Sequence, residues 1–167
     1  MPGLTPLGTL HTAISLVAVA AGFIALVRDK QISPRNRIGQ VYLATTLITV
    51  LPGFGIFQHG GFGKPHALGV VTLVVLGVAA LADRTPWFGR AAPYVSTVSY
   101  SATFLFHWIP AVTETATRLP PGAPLAANPD VPGLQAAAGV LVLLFLLGAT
   151  LQVLRLRASQ PGAATAT

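Results

Sequence analysis

His11, His66 and His107 each lie 17 residues from a charge that marks the far end of the same apolar run, namely Arg28, Asp83 and Arg90. At about 1.5 Å per helical residue, that spacing lifts all three imidazoles to one level, roughly 25 Å above the charged edge. Imidazole titrates near neutrality and offers a lone pair to a metal. Rings sharing a depth could therefore ligate a transition-metal ion, fill the axial positions of a haem b, or pass protons. His59 falls in a connection near the same level. Glu114 could complete a metal set, and Lys64 and Arg118, the two cations on that side, suit haem propionates. A second constellation overlaps the first. Ser96, Tyr100, Thr103, His107 and Glu114 are spaced by four, three, four and seven residues, which lines one helical stripe. Facing lipid, such a stripe would leave hydroxyls, imidazole and carboxylate unpaired, so it is expected to face the bundle or a wet cavity.

The elements that must present these groups follow from composition. Of 167 residues, 53% are hydrophobic and 8% charged, a balance that polar surface could hardly cover in a water-soluble domain of this size. Spanning hydrocarbon takes about 20 mostly apolar residues, and five segments approach that length: 9–27, 38–57, 66–82, 92–112 and 134–154. Backbone polar groups in lipid must pair within their own segment, so the expectation is an all-α, polytopic transmembrane bundle of about five helices. A four-helix core with a peripheral C-terminal helix would occupy residues 1–158, and 159–167 would form a disordered tail. The absence of cysteine excludes disulfides, thiolate metal sites and cysteine nucleophiles.

Eight of the ten basic residues fall in the first and third connections or after the last helix. The positive-inside rule makes that face cytoplasmic, with the N-terminus outside and the C-terminus inside, and the expected location is the cell's inner (cytoplasmic) membrane. The net charge of +6 is thus a topology signal. The arginines flank helices one or two at a time, so anionic lipid rather than nucleic acid is the expected partner. Residues 1–9 have no basic segment, and a cleaved signal peptide is not expected. The five prolines of 119–133 suggest an extended external connection. The glycines at 53, 55, 60, 61 and 63 read as an outer turn, since neither a preceding strand nor a phosphate-binding lysine accompanies them. Gly22 and Gly77 suggest close helix packing.

A shift of 55 residues places His11 on His66, Gly22 on Gly77, Ala25 on Ala80, Leu26 on Leu81 and Arg35 on Arg90. Helices one and three would then be equivalent and run the same way, a parallel internal duplication about an axis along the membrane normal.

The stretches RIGQVY (37–42), GFGKPH (61–66), SY (99–100) and ETATRLP (114–120), with a histidine opening the first helix, resemble bacterial membrane proteins grouped as domain of unknown function 2306. The resemblance covers roughly the first four helices and implies a membrane bundle without implying an activity. Matching positions are His11, Arg37, Gly39, Tyr42, His66, Ser99, Tyr100, Glu114 and Arg118. Asn36 and Pro93 stand where that family has histidines, which argues against a second cofactor site near the inner face.

Three readings remain open on sequence. A periplasm-facing histidine site binds haem b or a metal ion in a redox or accessory role, through His11, His66, His107 and Glu114, with a membrane redox partner or a homo-oligomer implied. Alternatively, the same groups and the stripe handle protons or a polar solute. In the third reading the histidines are interfacial residues of a structural subunit. Arg37 and Tyr42 read as interfacial anchors, and Glu114 and Arg118, four apart, as an ion pair.

Overall fold

In a computed structural model that describes residues 5–55 and 61–159, all regular structure is helical. Five α-helices follow one another: α1 (Pro6–Asp29), α2 (Arg37–Gly53), α3 (Lys64–Arg84), α4 (Ala92–Arg118) and α5 (Pro132–Ala158), with a 3₁₀ turn at Pro86–Ala91 before α4. His59 and residues 160–167 of the expected tail lie outside the described residues.

The helix boundaries have local causes. Thr5 accepts a hydrogen bond from the Gly8 amide (3.1 Å), and Pro6 supplies a first-turn residue that needs no donor. Asn36 Oδ1 accepts from the Gly39 amide at 2.8 Å and so opens α2, while its Nδ2 donates to Asp29 at 3.1 Å. Pro65 and Pro86 open the next two elements, and Gly89 takes a positive φ of 48° that turns the chain into α4.

Three helices, α1, α3 and α5, are long and apolar enough to cross a membrane. The expectation of five spans is met in helix number and not in this measure. With 17 residues α2 is short, and α4, 27 residues long, carries the hydroxyl stripe. Both can be less apolar where one face is turned toward protein instead of lipid.

The chain divides into two compact units, one ending at Thr103 and one beginning at Phe104, with the α4 backbone continuous through both. In the first, small residues line the buried face of α1, while many large apolar side chains face outward. Ala18, Ala21, Gly22 and Ala25 on α1 are buried, and α1 with α2 forms the closest helix pair. Leu16, Phe23, Ile24, Leu47, Ile48, Leu51, Val70, Val71 and Val74 are exposed. Lipid is as apolar as leucine, so association between membrane helices relies on close van der Waals contact and hydrogen bonds, which small and hydroxylated residues provide. Gly39 shows how closely the α1–α2 loop folds onto the start of α2. A Cβ there would sit 1.9 Å from the Ser33 carbonyl oxygen. Gly77, expected to admit a neighbouring helix, instead faces open space.

In the second unit α5 exposes Leu143, Leu144, Leu147, Leu151 and Leu154 and buries Ala149 and Gln152. The proline-rich connection is not simply extended: it folds back on the end of α4, where Ala126 donates to the Ala116 carbonyl at 2.9 Å. The last carbonyls of a helix lack intrahelical donors, and this return satisfies one of them.

The 55-residue shift also matches the element boundaries at the basic end. It carries the end of α1 at Asp29 onto the end of α3 at Arg84, and the start of α2 at Arg37 onto the start of α4 at Ala92. Buried Tyr42 and Thr46 map onto buried Thr97 and Ser101.

Candidate functional site

Within the first unit, polar side chains form three clusters in a row. The outermost, at the end away from the α1–α2 loop, joins α1 to α2. His11 Nδ1 lies 2.9 Å from the Thr49 carbonyl oxygen and 3.2 Å from the Thr49 hydroxyl, which donates to the His11 carbonyl at 3.0 Å. Ser15 Oγ is 2.8 Å from the same hydroxyl. A carbonyl can only accept, so Nδ1 of His11 carries the proton and Nε2 holds the lone pair. The ring rests on the α2 backbone at Gly53, where an added Cβ would stand 3.3 Å from Cε1. One glycine of the expected outer turn thus seats the histidine.

The middle cluster lies one turn along α2. Tyr42, Thr46 and Thr49 are spaced by four and three residues on one face of that helix, and all are at most 2% exposed. The Tyr42 hydroxyl is 2.7 Å from Thr103 Oγ1, and Thr103 Oγ1 is itself 2.7 Å from the Tyr100 carbonyl. That carbonyl takes the only threonine proton, so Tyr42 donates to Thr103. Tyr42 is therefore buried in the bundle, where the sequence suggested an interfacial anchor.

The third cluster lies one turn along α4, at the end carrying the α1–α2 loop. The Tyr100 hydroxyl stands beside the Asp83 carboxylate. Asp83 Oδ1 faces the Arg35 guanidinium at 4.0 Å, with the arginine side chain 82% exposed and the aspartate 16%. Its other oxygen, Oδ2, is buried and receives no hydrogen bond within the described residues.

The remaining sequence candidates distribute as follows. Ser96, Tyr100 and Thr103 of the stripe are all buried in the first unit. His66, also buried, caps its own helix: its Nδ1 accepts from the Gly63 amide at 3.2 Å, and the Phe62 ring lies 5.4 Å away between centroids. With Nδ1 accepting, the neutral ring carries its proton on Nε2, the tautomer opposite to that of His11. Lys64 is an exposed first-turn residue of α3. His107 and Glu114 belong to the second unit, where Glu114 pairs with Arg118. Among the described residues, no three histidine, aspartate or glutamate side chains gather as a metal set.

Sequence reasoning missed Ser15, Thr46, Thr49 and Asp83. The 42–46–49 spacing repeats the four-and-three rhythm that identified the α4 stripe, and that rhythm is the signal that could have found two of them. No protein-family model matches the chain, and no curated protein or solved structure is similar to it.

Proposed function

We propose that this chain is a polytopic inner-membrane protein that handles protons, moving or coupling them along the buried row of hydroxyls between His11 and Tyr100. The observation that carries this reading is the Tyr42–Thr103 hydrogen bond, which joins the polar faces of α2 and α4 where both side chains are buried. Hydroxyls both donate and accept, and imidazole exchanges protons near neutral pH. Successive clusters are separated by three residues, Thr46 to Thr49 on α2 and Tyr100 to Thr103 on α4, or about 4.5 Å of helix rise. In this reading, hydroxyl rotation and bridging waters carry the proton between the clusters.

In this reading all five helices cross the bilayer. The face bearing Arg28, Arg35, Arg84, Arg90, Arg155 and Arg157 is cytoplasmic, and His11 lies toward the periplasm. The coincident helix ends under the 55-residue shift support an internal duplication of one helical hairpin. The test is proton flux into liposomes containing the purified chain, driven by an imposed potential and read by an enclosed pH dye. Native protein conducts above empty liposomes, and Thr103→Val or Tyr42→Phe reduces the flux at least tenfold. Flux equal to that of empty liposomes, or unchanged in both variants, leaves the hydroxyls as packing contacts between helices.

Metal or haem ligation is the second reading, favoured by the Thr49 carbonyl, which holds His11 with its Nε2 lone pair available as metal-bound imidazoles are held. His66 would first have to give up its Gly63 bond or its Nε2 proton to serve as a second ligand. An absorption spectrum of the protein in detergent, oxidised and reduced, tests haem. Elemental analysis tests an ion.

A further inference from the structure

We infer that Asp83 is the group through which the row exchanges protons with water at its basic end, taking the proton on Oδ2 and passing it to Tyr100. The inference rests on the proton-handling reading and goes beyond it by naming the exchange residue and the route of entry. The two oxygens of this carboxylate occupy different surroundings. Oδ1 looks outward to a guanidinium on a largely exposed side chain, whereas Oδ2 is buried with no hydrogen bond from the described residues and has the Tyr100 ring hydroxyl beside the carboxylate. A buried anionic oxygen without a donor is costly, and a proton there turns an acceptor into a donor on a carboxylate that has the Tyr100 hydroxyl beside it.

The groups facing Asp83 are Arg35 from the α1–α2 loop and Tyr100 from α4, with Arg84 next to it on α3. Arg35 balances the ionised carboxylate and, being exposed, can turn into water when the proton arrives. In the transfer, Oδ2 gains an O–H bond from a hydronium ion, leaving water. That bond then breaks as the proton passes to the Tyr100 oxygen, and the phenolic proton moves toward Thr103, one turn along α4. One O–H bond is lost for each one made, and no oxidant or reductant takes part.

Two measurements on the full-length chain test the assignment. In the liposome assay, Asp83→Asn is expected to lower flux about a hundredfold, on the scale of losing a positioned acid–base group, and Asp83→Glu to restore most of it. Tyr100→Phe is expected to lower flux even where Asp83→Asn does not fold. Infrared difference spectra between acidic and neutral protein provide the second readout. The chain has four carboxyl side chains, Asp29, Asp83, Glu114 and Asp130, so one carboxylic-acid carbonyl band can be assigned by substitution. The expected band is absent in folded Asp83→Asn and persists in Glu114→Gln. If folded Asp83→Asn conducts like native protein while Thr103→Val does not, the Asp83 assignment fails and the proton-handling reading stands. If native protein does not conduct, both fail. A full set of carboxyl bands in Asp83→Asn also overturns the assignment.

Discussion

His11 and Thr49 are joined three times across the α1–α2 contact: Nδ1 reaches both the carbonyl (2.9 Å) and the hydroxyl (3.2 Å) of Thr49, and that hydroxyl returns a bond to the His11 carbonyl (3.0 Å). Opposite tautomers follow for the two histidines that the 55-residue shift superposes. His11 carries its proton on Nδ1 because its partner is a carbonyl. His66 carries it on Nε2 because its Nδ1 receives the Gly63 amide. Nitrogen chemical shifts of ¹⁵N-labelled histidine, assigned by single substitutions, are expected to show one ring of each kind. Matching tautomers would remove the distinction drawn between the two sites.

The same stitch has an energetic consequence. Thr49→Val keeps the shape of the side chain while removing the hydroxyl from His11 and Ser15, and the carbonyl contact survives. Hydrogen bonds between membrane helices average about 0.6 kcal/mol and reach about 1.7 kcal/mol, so a loss of about 1 kcal/mol is expected in a reversible detergent-unfolding titration.

Tyr42 and Thr103 are expected to respond unequally. Tyr42→Phe takes away a donor and leaves Thr103 with its proton still on the Tyr100 carbonyl, at a cost of about 1 kcal/mol. Thr103→Val removes the acceptor of a fully buried phenol, whose other hydrogen-bonding neighbour is Thr46, and the penalty rises to about 1–3 kcal/mol. A double-mutant cycle measures the coupling, and equal single-variant losses would contradict the donor assignment.

Gly39 is expected to be the least replaceable glycine in the first unit. An alanine Cβ at 1.9 Å from the Ser33 carbonyl overlaps backbone, which cannot move aside as a flexible side chain can. Ser33 lies between buried Ile32 and the Asn36 cap, so relief would disrupt the start of α2. Gly39→Ala should abolish a monodisperse folded peak in detergent, or lower the melting temperature by more than 10 °C, about the effect of a 3 kcal/mol loss in a domain this size. Gly77→Ala, with open space around the added carbon, should leave the melting temperature unchanged within a degree or raise it slightly.

Part of this arrangement is written in local chemistry. Asn36 before Arg37, the prolines at 65 and 86, and the four-and-three spacing of Ser96, Tyr100 and Thr103 announce helix starts and a polar face that the structure turns inward. The His66 cap was also legible, because a side chain three residues after Gly63 can reach back to its amide, as in a capping box. The His11 partner was not legible, since a backbone carbonyl has no residue type and nothing in Thr49 marks its oxygen as an acceptor for another helix. Thr46 and Thr49 lie in the apolar stretch TTLITVL, where threonine commonly bonds to its own helix, as Thr45 does to Val41. Asp83 reads as one half of an edge pair until α4 supplies Tyr100 and the α1–α2 loop supplies Arg35. Each of these depends on which helices come together, and that is settled by contacts distant in sequence.

The number of crossings can be decided by labelling, because the chain has no cysteine and any single introduced thiol reports alone. If α2 crosses, residues 35 and 64 lie on opposite sides of the membrane; if α1, α3 and α5 alone cross, α2 returns to the side it left and the two positions share a face. The same logic applies to 90 and 118 across α4. Arg35→Cys, Lys64→Cys, Arg90→Cys and Leu119→Cys, the last in place of the ion-paired Arg118, are therefore treated in intact cells with a membrane-impermeant maleimide. Five crossings require labelling at 64 and 119 and protection at 35 and 90 until the cells are opened. Protection at both 35 and 64, or labelling at both, would mean that α2 does not cross. The polar face of Tyr42, Thr46 and Thr49 would then lie within a re-entrant hairpin, and the row from His11 to Tyr100 could not connect two compartments.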